Sequence, residues 1–389
     1  MSRSPSRTNP SPHAPSASPL APSASPLAPS PVEAPPDAGR QSSLELARRA
    51  YRDIVLYAPD RAPCRIDLSD NTNLFGVPPA AERAYREAST ATLTRYPALY
   101  AKELKAALAD YASADPEELV TGCGSDDVLD SAIRAFAEPG DRLAVANPTF
   151  AMVPIFAQMN ALTPVKVPLA KGWDIDPDAL AATGAKVIYV CSPNNPTGTM
   201  ASRSALERLL EKAPGIVVLD EAYAEFSGEE GYLRSAPRRE KLLVVRTMSK
   251  AFGLAGLRIG YAVGSRELVA EVEKSRGPYK VNGSAERAAV AALREDRQWV
   301  QARIADVVTN RARFVEALRA QGLAPIPSSS NFVLVPVQDA LGKAKAMRQL
   351  GVAVRPFPDL LGIGDALRIS IGPWEMMEAA LAALKSVAS

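Results

Sequence analysis

The chain has 389 residues, of which 47% are hydrophobic and 23% are charged. These proportions are typical of a globular protein, and the length indicates about two domains. The net charge is only +2, from 45 lysines and arginines against 43 aspartates and glutamates. This balance argues against binding to nucleic acid or to an anionic membrane surface. No apolar run reaches the roughly 18 residues that a membrane-spanning helix needs.

Histidine and cysteine are scarce. The only histidine, His13, lies in a tail rich in proline and serine, so the rest of the chain cannot form a Ser-His-Asp triad, a Cys-His pair or a histidine-containing zinc site. Cys64, Cys123 and Cys191 match no disulfide or zinc spacing, which favours a cytoplasmic location. Any chemistry must therefore use lysine, aspartate, tyrosine, arginine or a bound cofactor.

The first half of the chain begins with a low-complexity tail. Residues 1–40 contain a direct repeat and little that can bury a core, so we expect them to be disordered, without a signal peptide. Apolar residues at helical spacing predict two helices here, Leu44–Val55 and Glu103–Tyr111. Between them, Ile66–Gly76 is crowded with asparagine, aspartate and glycine and predicts a turn-rich loop after a short strand.

From about 117 to 265, apolar runs alternate with helical patterns at Asp127–Phe136 and Ser204–Lys212. This alternation predicts a mostly parallel sheet with helices on both faces. The predicted strands are Arg142–Ala146, Lys186–Cys191, Gly215–Leu219, Leu242–Val245 and Arg258–Val263. Because sites in such sheets lie beyond the carboxyl ends of the strands, the polar motifs found there are the candidates for chemistry. These motifs are Asn147–Phe150, Ser192–Gly198, Asp220–Tyr223 and Ser249-Lys250.

The pattern changes at about 283 and predicts a small α+β domain, in which strands bring Arg355 and Arg368 toward the cleft. We predict an N-terminal arm with part of the small domain at 41–75, a large cofactor-binding domain at 76–283 and the small domain at 284–389. The predicted elements of the last part are a long helix Ala285–Ala320, strands Asn331–Pro336, Val352–Arg355 and Leu367–Ile371, and a final helix Glu375–Ser386.

A helix start forms a candidate anion site. Gly124 and Ser125 come just before the predicted helix and would leave backbone N–H groups free to bind an anion. Asp127 occupies the third glycine position of a dinucleotide fingerprint, so a monophosphate is favoured. Ser249 and Arg258 can supply a hydroxyl and a guanidinium to the same anion.

Four strand ends carry a set of side chains suited to one cofactor. Lys250, desolvated past a buried strand, can become a nucleophilic amine that forms a Schiff base. Asp220 needs a cationic partner, and a protonated pyridine nitrogen is one that turns the ring into an electron sink. Tyr223 and Asn195 can hydrogen-bond a phenolate oxygen, and Phe150 offers a face for stacking. Each side chain taken singly also fits a structural role, as a cap, a turn or core packing. Together they favour pyridoxal 5'-phosphate and no metal.

Six motifs carry a family resemblance: Gly124–Asp126, Asn195–Gly198, Asp220–Tyr223, Ser249–Arg258, Pro278–Asn282 and Leu367–Ser370. On these motifs residues 44–389 resemble the fold-type I aminotransferases, and within them the histidinol-phosphate aminotransferases. The resemblance implies an α/β fold with a large domain, built on a mostly parallel seven-stranded sheet flanked by helices, and a small α+β domain. It implies amino-group transfer from L-histidinol phosphate to 2-oxoglutarate, in histidine biosynthesis.

The resemblance also assigns roles to residues. It implies that Lys250 forms the Schiff base and moves a proton as general acid and base. It implies that Tyr96 reaches the cofactor phosphate of a neighbouring subunit, and hence a homodimer with shared active sites. The cofactor-binding residues that it implies are Gly124, Ser125, Asp126, Phe150, Asn195, Asp220, Tyr223, Ser249, Lys250, Arg258 and Tyr96.

On the substrate side, the resemblance implies that Arg368 binds an α-carboxylate. Tyr57 and Arg355 would lie near the distal phosphate of the substrate, and the loop that contains Asn71 would border it. The chain departs from the family here, because Asn-Thr-Asn-Leu at 71–74 stands where Asn-Glu-Asn-Pro is common. Phe150 also stands where tyrosine is common, and Pro373 where threonine is common.

These departures leave other functions open. Relatives with the same motifs transaminate aromatic amino acids such as phenylalanine, or decarboxylate threonine phosphate. The same fold also occurs as the cofactor-binding domain of transcription regulators. The N-terminal extension of this chain is rich in proline and serine and does not predict the DNA-binding helices that such regulators carry.

Overall fold

The computed structural model describes residues 43–55 and 62–387. The expectation of a disordered tail and the role expected of Tyr57 lie outside these residues. The twelve strands are β1 Ile66–Asp67, β2 Leu119–Cys123, β3 Arg142–Asn147, β4 Thr163–Pro168, β5 Val187–Cys191, β6 Ile216–Asp220, β7 Leu242–Thr247, β8 Ile259–Val263, β9 Phe332–Pro336, β10 Val352–Ala353, β11 Arg355–Leu360 and β12 Gly364–Ser370, counted over the described ranges.

Helices occupy much of the remaining described chain. The α-helices are α1 Ser43–Leu46, α2 Pro79–Arg86, α3 Thr90–Thr94, α4 Lys102–Ala112, α5 Gly124–Phe136, α6 Met152–Met159, α7 Pro177–Ala182, α8 Arg203–Lys212, α9 Arg266–Lys274, α10 Gly283–Glu295, α11 Arg297–Ala320, α12 Ala340–Gln349 and α13 Trp374–Ser386. Short 3-10 helices lie at Arg49–Tyr51, Leu99–Ala101, Pro116–Glu118, Lys171–Trp173, Ala224–Phe226, Ala236–Arg238 and Ala255–Leu257. None of the helices in the described ranges combines the length and the hydropathy of a membrane-spanning segment.

A seven-stranded sheet forms the centre of the unit that spans residues 48–389. Its strand order is β2-β8-β7-β6-β5-β3-β4. Only β8 runs antiparallel to its neighbours, so the predicted mostly parallel seven-stranded sheet is confirmed. Sequence reasoning missed β2 and β4. The two prolines of β4 obscured it, and they are tolerated because β4 is an edge strand.

Both faces of this sheet are covered by helices. Alternate residues of β5 point to opposite sides: Ile188 packs into one apolar cluster and Tyr189 into the other. The first cluster includes residues of α4, α8 and α10, and the second includes residues of α5, α6 and α9. Continuous apolar strands such as β6, in which every residue is buried, follow from this double coverage.

The C-terminal part contains an antiparallel sheet of order β11-β12-β9. A separate pair joins β1 to β10 in parallel, which brings residues 66–67 against this part of the chain. The predicted strand Val352–Arg355 is wrong as a single element, since β10 and β11 belong to different sheets. The domain boundaries stay a prediction.

Two predicted helices differ from the structure. The predicted helix Ala285–Ala320 is two helices, α10 and α11, that meet at Asp296. The Asp296 carboxylate accepts the N–H groups of Ala80 and Ala81 and so caps the start of α2, a tertiary contact that no local pattern reveals. The predicted helix Leu44–Val55 is also wrong, because Arg48 has an extended ψ of 137° between α1 and the 3-10 helix that follows.

Candidate active site

A cavity of about 120 Å³ opens at the carboxyl ends of β5, β6 and β7. All the predicted cofactor-binding residues line it except Gly124 and Tyr96. The cavity is lined by Ser125, Asp126, Phe150, Cys191, Asn195, Asp220, Ala222, Tyr223, Thr247, Ser249, Lys250 and Arg258. Residues from sequence positions more than a hundred apart meet here because parallel strands end at the same edge of the sheet.

Lys250 follows β7, whose six residues are all buried. The turn is held in place because the Thr247 hydroxyl lies 3.0 Å from the Ser249 hydroxyl and accepts the Ser249 N–H at 3.1 Å. The Lys250 amine donates to the carbonyl of Asp70 at 3.1 Å and lies 5.7 Å from the centroid of the Tyr223 ring. The amine therefore projects into the cavity from a fixed backbone.

Burial, followed by the nearby charge of Arg368, lowers the pKa of Lys250 to about 8. The carboxylates of Asp126 and Asp220 oppose this shift. A lysine with this pKa is about one-tenth neutral at pH 7, far more than an ordinary lysine, and only the neutral amine is a nucleophile or a base. The geometry thus supplies an activated amine, whereas solvent-exposed lysines are almost fully protonated at neutral pH.

Asp220 ends β6 and is only 4% exposed. One carboxylate oxygen, Oδ1, accepts the Ala222 N–H at 3.0 Å, and the other, Oδ2, accepts the Tyr189 hydroxyl at 2.8 Å. Burial raises the pKa of Asp220 to about 6 although both hydrogen bonds oppose this shift. A carboxylate held this way is suited to a cationic ligand group that replaces its lost hydration.

The start of α5 is where the sequence predicts an anion site, and this site stays a prediction. Gly124 has a φ of 82°, which favours glycine, and a Cβ there would clash with the Arg258 guanidinium in its present position. The Arg258 guanidinium lies 3.4 Å from the Asp126 carboxylate. Ser125 and Ser249, which carry hydroxyls, also line the cavity. A guanidinium, hydroxyls and a helix N-terminus are the donor set that a phosphate requires.

A second cation borders the cavity. Arg368 on β12 is buried and donates from Nη1 to Asn195 Oδ1 at 2.6 Å and from Nη2 to the Ser69 carbonyl at 2.7 Å. Arg355 on β11 is its direct partner in the antiparallel register, so the two side chains lie on the same face of that sheet. Arg355 is half-buried. Arg355 and Arg368 are thus neighbours on one face of that sheet, and Arg368 contacts the cavity wall through Asn195.

The family profile Aminotransferase class I and II matches residues 65–384. The chain belongs to this family of aminotransferases. A histidinol-phosphate aminotransferase of Roseiflexus castenholzii is 39% identical, over 83% of this chain and 90% of that relative. An aromatic amino acid aminotransferase of Streptomyces coelicolor is 37% identical, over 84% of this chain and 93% of the relative.

A solved structure gives the same result for the fold. The histidinol-phosphate aminotransferase of Sinorhizobium meliloti in complex with pyridoxal-5'-phosphate is 26% identical and aligns with a TM-score of 0.81. The alignment covers 89% of this chain and 98% of that one. The predicted fold-type I aminotransferase fold and the resemblance to this family are thus confirmed.

Tyr96 and Asn71 are among the predicted site residues that do not line the cavity of this aminotransferase. Tyr96 is 84% exposed and stacks on Tyr279, with ring centroids 4.9 Å apart. Asn71 is 1% exposed and lies behind the site, where its amide donates to the Tyr223 hydroxyl at 3.2 Å and its Oδ1 accepts the Ser370 hydroxyl at 3.1 Å. Asn71 therefore contacts a residue that lines the cavity, but in this structure its polar groups are engaged by the protein.

Sequence reasoning missed four side chains of this aminotransferase site. Cys191, Ala222 and Thr247 line the cavity, and Tyr189 lies one layer behind it on Asp220. Strand periodicity could have found Tyr189, because it stands two residues before Cys191 on the same face of β5. Tyr189 is flanked by apolar residues, and this pattern indicates only a role in core packing.

Proposed function

We propose that this aminotransferase binds pyridoxal 5'-phosphate and transfers the amino group of L-histidinol phosphate to 2-oxoglutarate, a step of histidine biosynthesis. The observation that carries the proposal is that Arg355 and Arg368 are register partners on one face of a sheet, and that Arg368 contacts Asn195 in the wall of a cavity that contains an activated lysine. Two adjacent cations suit substrates that bring an anion besides the reacting amine, as a phosphorylated amine and glutamate both do.

The cavity residues fit the cofactor. The N-terminus of α5 with Ser125, Ser249 and Arg258 would hold the phosphate, and Gly124 leaves the space that this requires. Asp220 would pair with the ring nitrogen. Asn195, Tyr223 and Phe150 line the walls between these ends. The cofactor supplies an electron sink for the carbon that carries the amino group.

The protein supplies binding and proton transfer. Lys250 would hold the cofactor covalently, and its free amine would move the proton at the amino-bearing carbon as base and then acid. The negative charge of Asp220 would favour a protonated ring nitrogen. Arg368 binds the α-carboxylate of glutamate, and Arg355 binds the distal anion. Histidinol phosphate lacks an α-carboxylate, so its phosphate would be shared by these two cations.

A second candidate is an aromatic amino acid aminotransferase. It is favoured by the 37% identical relative of that name and by the aromatic surroundings of Arg368, whose guanidinium carbon lies 5.4 Å from the ring centroids of both Phe332 and Phe357. An aromatic substrate brings one carboxylate and no distal anion. The two functions therefore differ in what they require of Arg355.

Replacement of Arg355 by alanine is expected to raise KM for histidinol phosphate and to lower kcat/KM by an amount equivalent to about 2–5 kcal/mol, because a charge pair with the phosphate is lost. Steady-state kinetics with histidinol phosphate and with unphosphorylated histidinol checks this. The kcat/KM for unphosphorylated histidinol should differ little between wild type and variant. The control is Arg319→Ala, which removes an exposed arginine at the end of α11. An Arg355→Ala enzyme with unchanged kinetics on the phosphorylated donor would favour the aromatic substrate instead.

We further propose a cytoplasmic homodimer with shared active sites. The exposed Tyr96 and Tyr279 stack and the nearby exposed Leu93 and Leu99 support an interface there, because apolar side chains clustered at the surface mark contact sites. All three cysteines are free, which supports a reducing compartment.

A further inference from the structure

The Tyr189 hydroxyl contacts Asp220, and the Cys191 thiol interacts with the same hydroxyl. Its side chain lies on β5, is 1% exposed and donates its hydroxyl to Asp220 Oδ2 at 2.8 Å. The opposite oxygen, Oδ1, is held by the Ala222 N–H. Both oxygens of the carboxylate are thus fixed, one by the backbone and one by a tyrosine from the neighbouring strand.

The tyrosine can act only as the donor. Burial and the nearby charge of Asp220 raise the pKa of Tyr189 well above its ordinary value, so its hydroxyl stays protonated. The hydrogen bond favours the ionised form of Asp220 against the burial that disfavours it. The other titratable groups that face Asp220 are Asp126 from α5, Cys191 from β5, Glu221 and Tyr223 after β6, and Lys250 after β7.

We infer that Tyr189 is a positioning residue, whose hydroxyl fixes the orientation of the Asp220 carboxylate and keeps it ionised for a cationic ring nitrogen. This inference rests on the proposed cofactor. It follows that Tyr189 acts on the ring through Asp220 and touches neither substrate nor the reacting carbon.

The test is Tyr189→Phe, which removes one oxygen and keeps the ring. The readout is equilibrium binding of pyridoxamine 5'-phosphate to the full chain freed of cofactor, followed by tryptophan fluorescence between pH 5 and 8. This probe presents the same ring but an amine in place of the aldehyde, so the titration of Lys250 does not enter as a covalent step. Binding should weaken as pH falls through the pKa of Asp220, because the carboxylate is lost.

In Tyr189→Phe we expect this acidic limb to move upward by roughly one pH unit, since a hydrogen bond to a charged group is lost, so that binding weakens by about tenfold at pH 5 and about twofold at pH 7. The matched control is Tyr261→Phe. Tyr261 is also 1% exposed, and among the described residues its hydroxyl has no hydrogen-bond partner. That control should leave the profile unchanged.

The double variant Tyr189→Phe/Asp220→Asn separates positioning from packing. In the Asp220→Asn background no buried charge needs support, so the added Tyr189→Phe change should not alter binding. It also keeps the test available if Tyr189→Phe alone folds poorly. A Tyr189→Phe profile that overlays wild type, or an equal loss of binding in the Asp220→Asn background, overturns the inference. If wild type itself does not bind the probe, the proposed function fails instead.

Discussion

Lys250→Ala is expected to lower kcat by at least about four orders of magnitude, because it removes both the nucleophile and the base from the cavity. The purified variant should also lack the yellow colour of pyridoxal phosphate bound through a lysine.

Since the pKa of Lys250 is about 8, the rate at which the wild-type protein captures cofactor should depend on pH. In wild type, capture of cofactor by the apo chain should accelerate as pH rises through about 8, as the neutral amine forms.

The control for this substitution is Lys274→Ala. Lys274 is an exposed lysine at the end of α9, paired with Glu271. It should retain colour and turnover. Single-turnover and steady-state assays measure the turnover of both variants. Normal turnover by Lys250→Ala would exclude Lys250 from the mechanism.

Asp220→Asn is expected to bind cofactor yet to turn over about 10²–10³-fold more slowly, because a neutral amide cannot keep the ring nitrogen protonated.

The same substitution, Asp220→Asn, should raise the free energy of unfolding of the cofactor-free chain above pH 6. The pKa of Asp220 is raised from 3.8 to about 6 in the folded protein, mainly by burial. The ionised carboxylate of Asp220 therefore destabilises the folded protein at neutral pH. The stability that the protonated form contributes is lost as pH rises through about 6.

A shift of about two pKa units corresponds to about 3 kcal/mol at pH 8. The apo Asp220→Asn variant should gain free energy of unfolding of this order at pH 8 and gain little below pH 4. Denaturant unfolding at both pH values measures it. Asp178→Asn, at an exposed aspartate paired with Arg208 and Lys212, should show no such gain. A variant that is as active as wild type, or an apo form that is less stable at pH 8, would make Asp220 a structural cap.

Much of the site could be predicted from the sequence because its chemistry is local. Asp220, Lys250 and the Gly124-Ser125 pair each follow or precede an apolar run within a few residues. Strand ends of a parallel sheet meet at one edge, so local motifs also fixed which side chains meet. The central sheet was predictable for the same reason, since its buried strands are continuous apolar runs.

The rest depends on contacts between distant parts of the chain. The break at Asp296 serves the start of α2, more than two hundred residues earlier. Asn71 adopts a φ of 55° and is tied to Tyr223 and Ser370, which no local pattern indicates. Tyr189 has the appearance of a core residue until its hydroxyl is seen on Asp220. Such features follow from tertiary packing and not from propensity or spacing.

The central claim is that Lys250 and the two guanidiniums of Arg355 and Arg368 serve a phosphorylated amine. The most direct measurement is kcat/KM for L-histidinol phosphate and for phenylalanine as amino donors, each with 2-oxoglutarate as acceptor, on the same wild-type preparation. We predict a kcat/KM for histidinol phosphate at least about tenfold higher, since the second cation is then paired with an anion. A higher value for phenylalanine would contradict the claim and make the protein an aromatic amino acid aminotransferase.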